Sequence, residues 1–277
     1  MNNNPLFTII TVVYNDFNGL KETIESVLAQ TYSNYEYVIV DGKSNDNSPE
    51  MARSYKELFC KKGVYYKVIS EPDNGIYDAM NKGTKNSNGQ WLLFLNAGDV
   101  LVSNDVLSKV SKFTDEQSNV IFGNTIYRYR DMYKEVDPPE MRCLENFDEI
   151  CHQSTFIKRE TMMALKYDCL YPIWADYDFF LRLFKSGGKF KKIPITISVF
   201  EIGGASSKGD YSMLYEGLKV KYDEGLLSKK KYQNERKKLN RGKIRNRVVV
   251  LIKRILPNPV VERIMRHRYK ARGYKAV

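Results

Sequence analysis

The sequence predicts an α/β protein whose mostly parallel sheet is covered by helices on both faces. Two observations support this class. Short apolar runs of strand length recur through the first half of the chain, and a helical pattern with short polar connections separates each from the next. Strands that are buried on both faces read as continuous apolar runs, which is typical of parallel sheets.

The predicted elements alternate in order along the first hundred residues. Strands are predicted over 6–13, 35–40, 65–70 and 91–95, with helices beginning near 18, 47 and 76. The first helix follows from the spacing of Leu20, Ile24 and Val27, and Asn18 is its expected cap. Pro49 suits the first turn of the second helix.

The loops after these strands carry the polar residues. Right-handed crossovers bring the carboxyl ends of parallel strands to one edge, where open α/β sheets bind ligands. The loops contribute Tyr14-Asn15, Asp41, Asp73-Asn74-Gly75 and Asn96-Ala97-Gly98-Asp99. None of these turns has a GxGxxG or GxxxxGK[ST] pattern, which argues against a dinucleotide dehydrogenase or a P-loop enzyme.

Asp99 ends the turn after the apolar strand Trp91–Leu95, where a ligand or metal would be held. The strand and turn alone leave two interpretations equally open. Asp99 is either a binding carboxylate or the cap of a helix that begins near residue 103.

The second half of the chain has a different pattern. A strand over 120–123, a hairpin over 125–136, a strand over 154–157 and a strand over 191–200 are predicted. A helix follows from the stripe formed by Ile173, Tyr177, Phe180, Leu181 and Phe184, and Gly187-Gly188 ends it.

Two acids lie in the first turns of this helix. Asp176 is at the edge of the apolar stripe, so we expect it to turn inward, where it could act as a base or be a charge favoured by the helix dipole. Asp178 lies on another face and pairs by spacing with Arg182 as a surface ion pair. His152, the sole histidine before the tail, is open to either a site role or a packing role.

Six segments, in this order and spacing, resemble those of the inverting nucleotide-sugar glycosyltransferases of family 2, which have the GT-A fold and serve bacterial polysaccharide synthesis. They are Ile9–Asn15, Ser26–Tyr32, Val40–Ser48, Asp73–Gly83, Leu95–Asp99 and Ala175–Arg182. The resemblance covers about residues 5–207, so we expect a catalytic domain there and a helical region over 208–277.

The resemblance implies a role for each matching residue. It implies nucleotide-sugar contacts for Val12, Tyr14, Asn15, Asp41, Asp73, Asn74, Lys82, Asn96 and Ala97. Asp99 matches the last acid of a DxD motif, which binds Mn²⁺ or Mg²⁺ at the donor diphosphate, and Asp176 matches the catalytic base. His152 matches no general position and is a candidate for the acceptor or diphosphate side.

Two departures from the family pattern reduce the number of acidic residues in its motifs. The metal motif reads Asn96-Ala97-Gly98-Asp99, and the usual acidic pair at the base reads Ala175-Asp176, so one acid remains in each. Magnesium commonly binds through one or two carboxylates together with substrate phosphates, so a single Asp99 is tolerable, with modest metal affinity expected. The departures keep a non-catalytic sugar-nucleotide or glycan-binding relative as an alternative. A nucleotidyltransferase would need a basic, glycine-rich loop near residues 14–19, and only Lys21 lies nearby.

The chain has a formal net charge of +11, and the basic residues concentrate in the tail. Residues 229–277 hold 18 Lys and Arg against 2 Glu, whereas residues 1–228 hold 26 basic against 31 acidic residues. The four cysteines form no CxxC pair, and no signal peptide or 18-residue apolar run is visible, so we expect a cytoplasmic protein. A zinc site from Cys143, Cys151, His152 and Cys169 matches no standard spacing.

The tail pattern is cationic and amphipathic from Arg241 onward. Ile244, Val248, Leu251, Ile252 and Ile255 form one stripe, Pro257 ends the first predicted helix, and a second begins near Val260. We expect these helices to lie on the anionic inner face of the cytoplasmic membrane, which suits a lipid-linked acceptor. Docking on the catalytic domain or on a second copy in a homo-oligomer is the alternative. Nucleic-acid binding is disfavoured because the first 228 residues are net acidic.

The resemblance therefore implies a metal-dependent, inverting glycosyltransferase. It would move a sugar from a nucleotide-sugar donor, with a UDP-sugar favoured, to a glycan or lipid-linked glycan acceptor. The expected process is synthesis of a capsule, exopolysaccharide or lipopolysaccharide at the cytoplasmic membrane.

Overall fold

The computed structural model describes residues 4–138, 150–202, 211–241 and 258–276. The chain forms two compact units, one of residues 1–127 with 135–201 and one of 128–134 with 202–277. The predicted domain limit at 207/208 stays a prediction, because residues 203–210 lie outside the described part.

Apart from β5, which was not predicted, the strands up to residue 201 correspond to the predicted runs. They are β1 (Phe7–Val13), β2 (Tyr35–Asp41), β3 (Tyr65–Ser70), β4 (Trp91–Phe94), β5 (Val100–Leu101), β6 (Val120–Tyr129), β7 (Met132–Val136), β8 (Thr155–Lys158) and β9 (Phe190–Glu201). Every residue of β1, β2 and β4 is buried, including the charged residues Glu36 and Asp41 of β2.

The central sheet has the order β6-β8-β4-β1-β2-β3. The strands β3, β2, β1 and β4 run parallel, while β8 is antiparallel to β4 and β6 is antiparallel to β8. The chain moves outward from β1 to β3 and then places β4 on the other side of β1. This reversal makes the carboxyl ends of β1 and β4 a topological switch point, where ligands of open α/β sheets bind.

Helices cover the sheet and fix the ends of its strands. They are α1 (Phe17–Leu28), α2 (Ser48–Ser54), α3 (Lys56–Lys61), α4 (Ile76–Lys85), α5 (Val106–Ser111), α6 (Arg159–Leu165) and α7 (Ala175–Lys185). The predicted cap of α1 at Asn18 is wrong, because Asp16 is the cap and its carboxylate accepts a hydrogen bond from the amide of Gly19 at 3.0 Å. Asp16 is favoured because it stands three residues before that amide, the spacing that a capping side chain needs.

The expectation for Asp178 was also wrong in one respect. The ion pair with Arg182 exists, with Nε 2.8 Å from Oδ2, but the Asp178 side chain is only 3% exposed. Arg182 also donates to the carbonyl oxygens of Leu165 and Lys166, at 3.1 and 2.8 Å. This face of α7 lies against the end of α6 and the residue that follows it, so Asp178 is buried and Arg182 is partly exposed, rather than both lying on the surface.

The second unit contains α8 (Tyr211–Asp223), a helix α9 over 229–241, α10 (Asn258–Ala271) and β10 (Lys275–Ala276). Within it, β10 pairs with Tyr133 and Met132, and Arg266 binds both carboxylate oxygens of Asp131 at 2.8 and 3.0 Å. The first predicted basic helix, with its stripe from Ile244 to Ile255, lies almost wholly outside the described residues. No described helix is both long enough and apolar enough to cross a membrane.

Candidate active site

The turn after β4 is held in place by the hydroxyl group of Thr23 in α1. This hydroxyl donates to the carbonyl oxygen of Asp99 at 2.7 Å and accepts from the amide of Gly98 at 3.0 Å. Gly98 has a φ of +92°, a backbone conformation that glycine adopts without strain. The amide of Ala97 donates to the carbonyl oxygen of Val12 at 3.2 Å, so the predicted residues Val12 and Ala97 adjoin at the switch point.

Asp99 turns its carboxylate into the protein. Its residue is 4% exposed, Oδ2 accepts from Nε2 of Gln153 at 3.1 Å, and Oδ1 accepts from the amide of Glu201 at 3.1 Å. Burial raises the pKa of this carboxyl group to about 7, against the opposing effect of these hydrogen bonds. Asp99 is not a helix cap, because the next helix, α5, begins at Val106 after Asp105.

Asp176 and His152 form the second acidic centre. Nδ1 of His152 lies 2.9 Å from Oδ2 of Asp176, and Nε2 lies 3.2 Å from the side-chain nitrogen Nδ2 of Asn96. Tyr77 of α4 places its hydroxyl group 2.9 Å from Oδ1 of Asp176. The side chain of Asp176 is 22% exposed, so it is the more accessible of the two predicted acids.

Two adjacent residues connect the two acids. His152 and Gln153 belong to the short 3-10 turn His152–Ser154 before β8, and His152 contacts Asp176 while Gln153 contacts Asp99. The predicted metal residue and the predicted base, far apart in the chain, are therefore joined through one turn. Gln153, Tyr77 and Thr23 were missed as site residues, although the polar triplet His152-Gln153-Ser154 before a strand was a visible signal for Gln153.

The loops after β1 and β2 are bound to each other. Asn15, with a φ of +52°, receives a hydrogen bond on Oδ1 from the amide of Asn45 at 2.9 Å. Its own amide donates to the hydroxyl of Ser44 at 2.8 Å. Tyr14 is 67% exposed beside them. These contacts leave the Tyr14 ring free for a flat ligand such as a nucleotide base to stack on.

Asp41 and Asp73 differ in burial at the edge of the sheet where the parallel strands end, which we call the rim. Asp41 is fully buried, and its carboxylate accepts from the amide of Ser44 and from the hydroxyl of Ser70 at 2.6 Å. Asp73 is only partly buried, and a β-carbon built on Gly42 would lie 2.5 Å from its Oδ2 and 3.3 Å from the ring of Tyr14. Asp41 therefore shapes the loop, while Asp73 and Tyr14 lie so close to Gly42 that a side chain there would collide with Asp73.

Asn74 and Lys82 lie in the segment between β3 and α4. The amide of Asn74 donates to Oδ2 of Asp78 at 3.0 Å, and Lys82 lies 3.2 Å from the same oxygen. Lys82 also donates to the carbonyl oxygen of Pro72 at 2.6 Å and pairs with Glu71. These two predicted residues hold the loop that carries Asp73.

The cysteines do not gather a metal in the described part of the chain. The described residues contain no group of three or more His, Cys, Asp or Glu side chains that could hold a metal ion. The thiol of Cys151 donates to Gln153 at 2.9 Å, and Cys169 accepts a long contact of 3.7 Å from Asn81. Cys143 lies outside the described residues. Burial raises the pKa of the Cys151 thiol to about 12, so it is not a reactive thiolate.

Comparisons with known proteins agree with this fold. The family described as "Glycosyl transferase family 2" matches residues 8–182. The "PGL/p-HBAD biosynthesis glycosyltransferase" of Mycobacterium tuberculosis is 30% identical over 208 residues, which are 73% of this chain and 80% of that protein. The S. aureus TarS fragment 1-349 in complex with UDP-GlcNAc has a TM-score of 0.62 at 16% identity, covering 80% of this chain and 67% of that chain.

A further solved structure contains a metal ion. The mannosyltransferase PcManGT of Pyrobaculum calidifontis, in complex with GDP-Man and Mn²⁺, has a TM-score of 0.60 at 17% identity and covers 80% of this chain and 64% of that chain. Fold and similarities together define a glycosyltransferase with the GT-A fold. The chain belongs to glycosyltransferase family 2.

A divalent cation fits Asp99 in three respects. The carboxylate is buried, and its two hydrogen-bond donors, the Gln153 amide group and the Glu201 main chain, are uncharged. Each carboxylate oxygen keeps a second lone pair that the two hydrogen bonds do not use. Carboxylate oxygen is a preferred ligand of Mg²⁺, which takes its other ligands from substrate phosphates and water.

Proposed function

We propose that this glycosyltransferase moves a sugar from a nucleotide-sugar donor, with inversion, to a hydroxyl group of a glycan or lipid-linked glycan in the synthesis of a cell-surface polysaccharide. One observation carries the proposal. Asp176 lies partly exposed at the start of α7 and is connected through His152 to Asn96, in the turn at the switch point of the sheet. In this proposal, the contacts of His152 hold the base on the acceptor side close to the donor side.

Asp176 is the proposed general base. Its carboxylate would take the proton from the acceptor hydroxyl while that oxygen bonds to the anomeric carbon. The bond between the anomeric carbon and the diphosphate oxygen breaks on the opposite face, which inverts the configuration. The nucleoside diphosphate leaves with the electron pair, and the proton ends on Asp176. A single displacement needs one base and no covalent sugar–enzyme intermediate.

The donor would lie along the loops after β1, β2 and β3. Tyr14 offers an exposed ring for the base, and Asp73 offers a carboxylate for hydroxyl groups of the ribose or sugar. Oδ1 of Asn96 is buried and accepts no hydrogen bond from the described part of the chain, so a donor hydroxyl group could satisfy it. The neighbours solved with UDP-GlcNAc and GDP-Man support a nucleotide-sugar donor, and we propose UDP-sugars first.

Mn²⁺ or Mg²⁺ is proposed to bind at Asp99. Such an ion supplies Lewis-acid stabilisation of the negative charge on the leaving diphosphate. Asp99 would contribute one carboxylate to it, while its two hydrogen bonds hold Gln153 and the end of β9 in place.

The first experiment is a screen for the donor. UDP-, GDP- and dTDP-sugars are added with Mn²⁺, and the melting temperature of the protein is measured. The donor that stabilises most is then used to follow nucleoside diphosphate release in wild type and in Asp176→Asn. We expect Asp176→Asn to bind the donor normally and to lose at least about 100-fold in rate. Asp105→Asn, an exposed acid before α5, is the control. An unchanged rate in Asp176→Asn contradicts the proposed base.

A non-catalytic sugar-nucleotide or glycan-binding protein is the alternative, favoured by the single acid left in each motif. Such a protein would be stabilised by a donor yet release no nucleoside diphosphate above the buffer rate, with or without Mn²⁺. Release that depends on Asp176 excludes it.

Association with the cytoplasmic face of the membrane is a separate part of the proposal. It rests on the cationic stripe pattern from Arg241 onward. The test is flotation with vesicles of phosphatidylglycerol or phosphatidylcholine. We expect binding to the anionic vesicles alone, and loss of binding when Arg245, Arg247, Lys253 and Arg254 are changed to Gln. A control variant changes Lys229, Lys230, Lys237 and Lys238 to Gln. Equal loss in both variants would mean that net charge, not this segment, decides binding.

A further inference from the structure

The contact between His152 and Asp176 assigns a role that the proposed mechanism leaves open. Asp176 must stay ionised and must present an oxygen to the acceptor. Its Oδ1 faces the main-chain amide of Tyr177 and the hydroxyl of Tyr77, both at 2.9 Å. Its Oδ2 faces Nδ1 of His152 at 2.9 Å. The two oxygens thus have different surroundings.

The Tyr77 hydroxyl group has two possible acceptors for its one proton. It also lies 2.8 Å from the carbonyl oxygen of Ile173, and one hydroxyl proton cannot point at both acceptors. His152 therefore supplies the side-chain hydrogen bond that Asp176 does not share. A hydrogen bond to an ionised acceptor is among the stronger ones in proteins.

The position of the imidazole proton follows from Asn96. With the Asn96 amide oriented as assigned, its nitrogen donates to Nε2, so Nε2 is bare and the proton is on Nδ1. With the amide flipped, the Asn96 oxygen would accept from Nε2, and a neutral imidazole would then have no proton on Nδ1. The assigned orientation is therefore the one in which a neutral His152 directs an Nδ1 proton at Asp176.

We propose that His152 is a positioning residue for the base Asp176, and that Asn96 in turn fixes the tautomer of His152. The chain Asn96–His152–Asp176 runs from the turn after β4 through the 3-10 turn to α7. Because His152 is 9% exposed and both its nitrogens have protein partners, it does not need to touch substrate to act. This inference rests on Asp176 being the base.

The other titratable groups that face Asp176 are few among the described residues. They are Tyr77 in α4, Tyr167 in the loop before α7, and Cys151, which directly precedes the 3-10 turn. Burial and the charge of Asp176 raise the pKa of both tyrosines well above the usual range, and burial raises that of the thiol. All three are neutral at ordinary pH, so His152 is the partner whose proton matters.

Two substitutions separate the two nitrogens of His152. In His152→Asn the side-chain amide lies near the Nδ1 position and keeps a donor for Asp176. In His152→Gln it reaches the Nε2 position and keeps the contact with Asn96 alone. We expect His152→Gln to lower kcat for nucleoside diphosphate release on the order of 10- to 100-fold, with donor KM nearly unchanged. The acidic limb of the kcat–pH profile should move to higher pH, because the ionised carboxylate has lost a donor. His152→Asn should restore most of the rate and the original limb.

The outcomes distinguish this inference from the proposed function. A fully active Asp176→Asn enzyme overturns the base itself. An inactive Asp176→Asn enzyme together with equal losses in both His152 variants, a raised donor KM and an unmoved limb overturns the positioning role alone.

A measurement without catalysis tests the same point. The chain has two histidines, His152 and His267, so ¹⁵N-labelled histidine gives two sets of ring signals that the His152 variants assign. We expect a proton on Nδ1 of His152 that shifts in Asp176→Asn and is unaffected in Asp105→Asn. A bare Nδ1 with a proton on Nε2 alone overturns the proposal.

Discussion

The side chain of Gln153 donates from Nε2 to Oδ2 of Asp99 over 3.1 Å, although 54 positions separate them in the chain. Gln153 is 4% exposed, so neither group can exchange this partner for water without a rearrangement. The hydrogen bond fixes the 3-10 turn to the turn after β4. His152 is the neighbour of Gln153, so the same bond also helps to set the position of the imidazole over Asp176.

Gln153→Met should expose how much this bond contributes. The variant keeps a similar volume but leaves Oδ2 of Asp99 without its donor, which we expect to lower the free energy of unfolding by about 1 to 3 kcal/mol. Urea denaturation measures the change. Gln117→Met, on an exposed position, is the matched control and should change stability little. Equal effects in both variants would contradict the importance of the bond.

Asp99 should make stability depend on pH. Its pKa is raised from 3.8 to about 7 by burial, so the folded state holds the proton more tightly than the unfolded state. The contribution is therefore most favourable at low pH, declines as pH rises from about 4 to about 7, and is constant above. Its upper limit is about 4 kcal/mol. Wild type should lose more stability between pH 5 and pH 8 than Asp99→Asn does, as urea denaturation would show.

Mn²⁺ gives the corresponding metal test at pH 8. The cation should raise the melting temperature of wild type with donor present and leave that of Asp99→Asn almost unchanged. An identical response of both proteins to Mn²⁺ would show that the cation binds elsewhere. In the preceding test, an identical pH dependence of stability in both proteins would show that the charge of Asp99 does not affect stability.

Gly42 should govern donor affinity. A methyl group at this position would lie 2.5 Å from Oδ2 of Asp73, so Gly42→Ala must displace Asp73 or the adjacent ring of Tyr14. We expect the donor Kd to rise on the order of 10-fold, by the loss of one hydrogen bond to a charged group. Donor titration of Gly42→Ala, Asp73→Ala and the double variant forms a cycle. If Asp73 is the affected group, the double variant binds no worse than Asp73→Ala; additive losses would exclude this explanation.

Glu36 should be a strong determinant of stability. It is 1% exposed, and its carboxylate accepts from the Thr8 hydroxyl, the Asn88 side chain and the amides of Asn88 and Gly89. Glu36→Ala leaves these buried donors unsatisfied ahead of β4, and we expect a loss of about 3 kcal/mol or more. Denaturation in urea measures it, with the exposed Glu57→Ala of α3 as control. A loss below 1 kcal/mol would show that water replaces the carboxylate.

Local patterns predicted the sheet well because buried parallel strands have continuous apolar sequences. The runs at Phe7–Val13 and Tyr35–Asp41 needed no knowledge of their neighbours. Local patterns do not predict the order of the strands in the sheet, because the pairing of β4 with β1 joins segments that are distant in the chain. Helix ends were predicted less well. Asn18 and Asp16 are both residue types that cap helices, and only the three-dimensional course of the loop selects Asp16.

The site was predicted as residue types on a common rim but not as a set of contacts. Asp99, Asp176 and His152 were each singled out, yet no pattern shows that His152 lies on Asp176 or that Asp99 is buried. Asp178 shows the same limit. Its spacing to Arg182 predicts the ion pair, whereas burial depends on the chain after α6, which helical spacing does not describe.

The short turn before β8 constrains how this enzyme can diverge. His152 and Gln153 are consecutive, yet each is committed to an acid from a different element. Inserting or deleting one residue there would detach at least one acid, and exchanging the two side chains would misdirect both. Loop length, usually the easiest property of a protein to vary, is therefore fixed at this point, and natural or engineered variation must enter elsewhere along the rim.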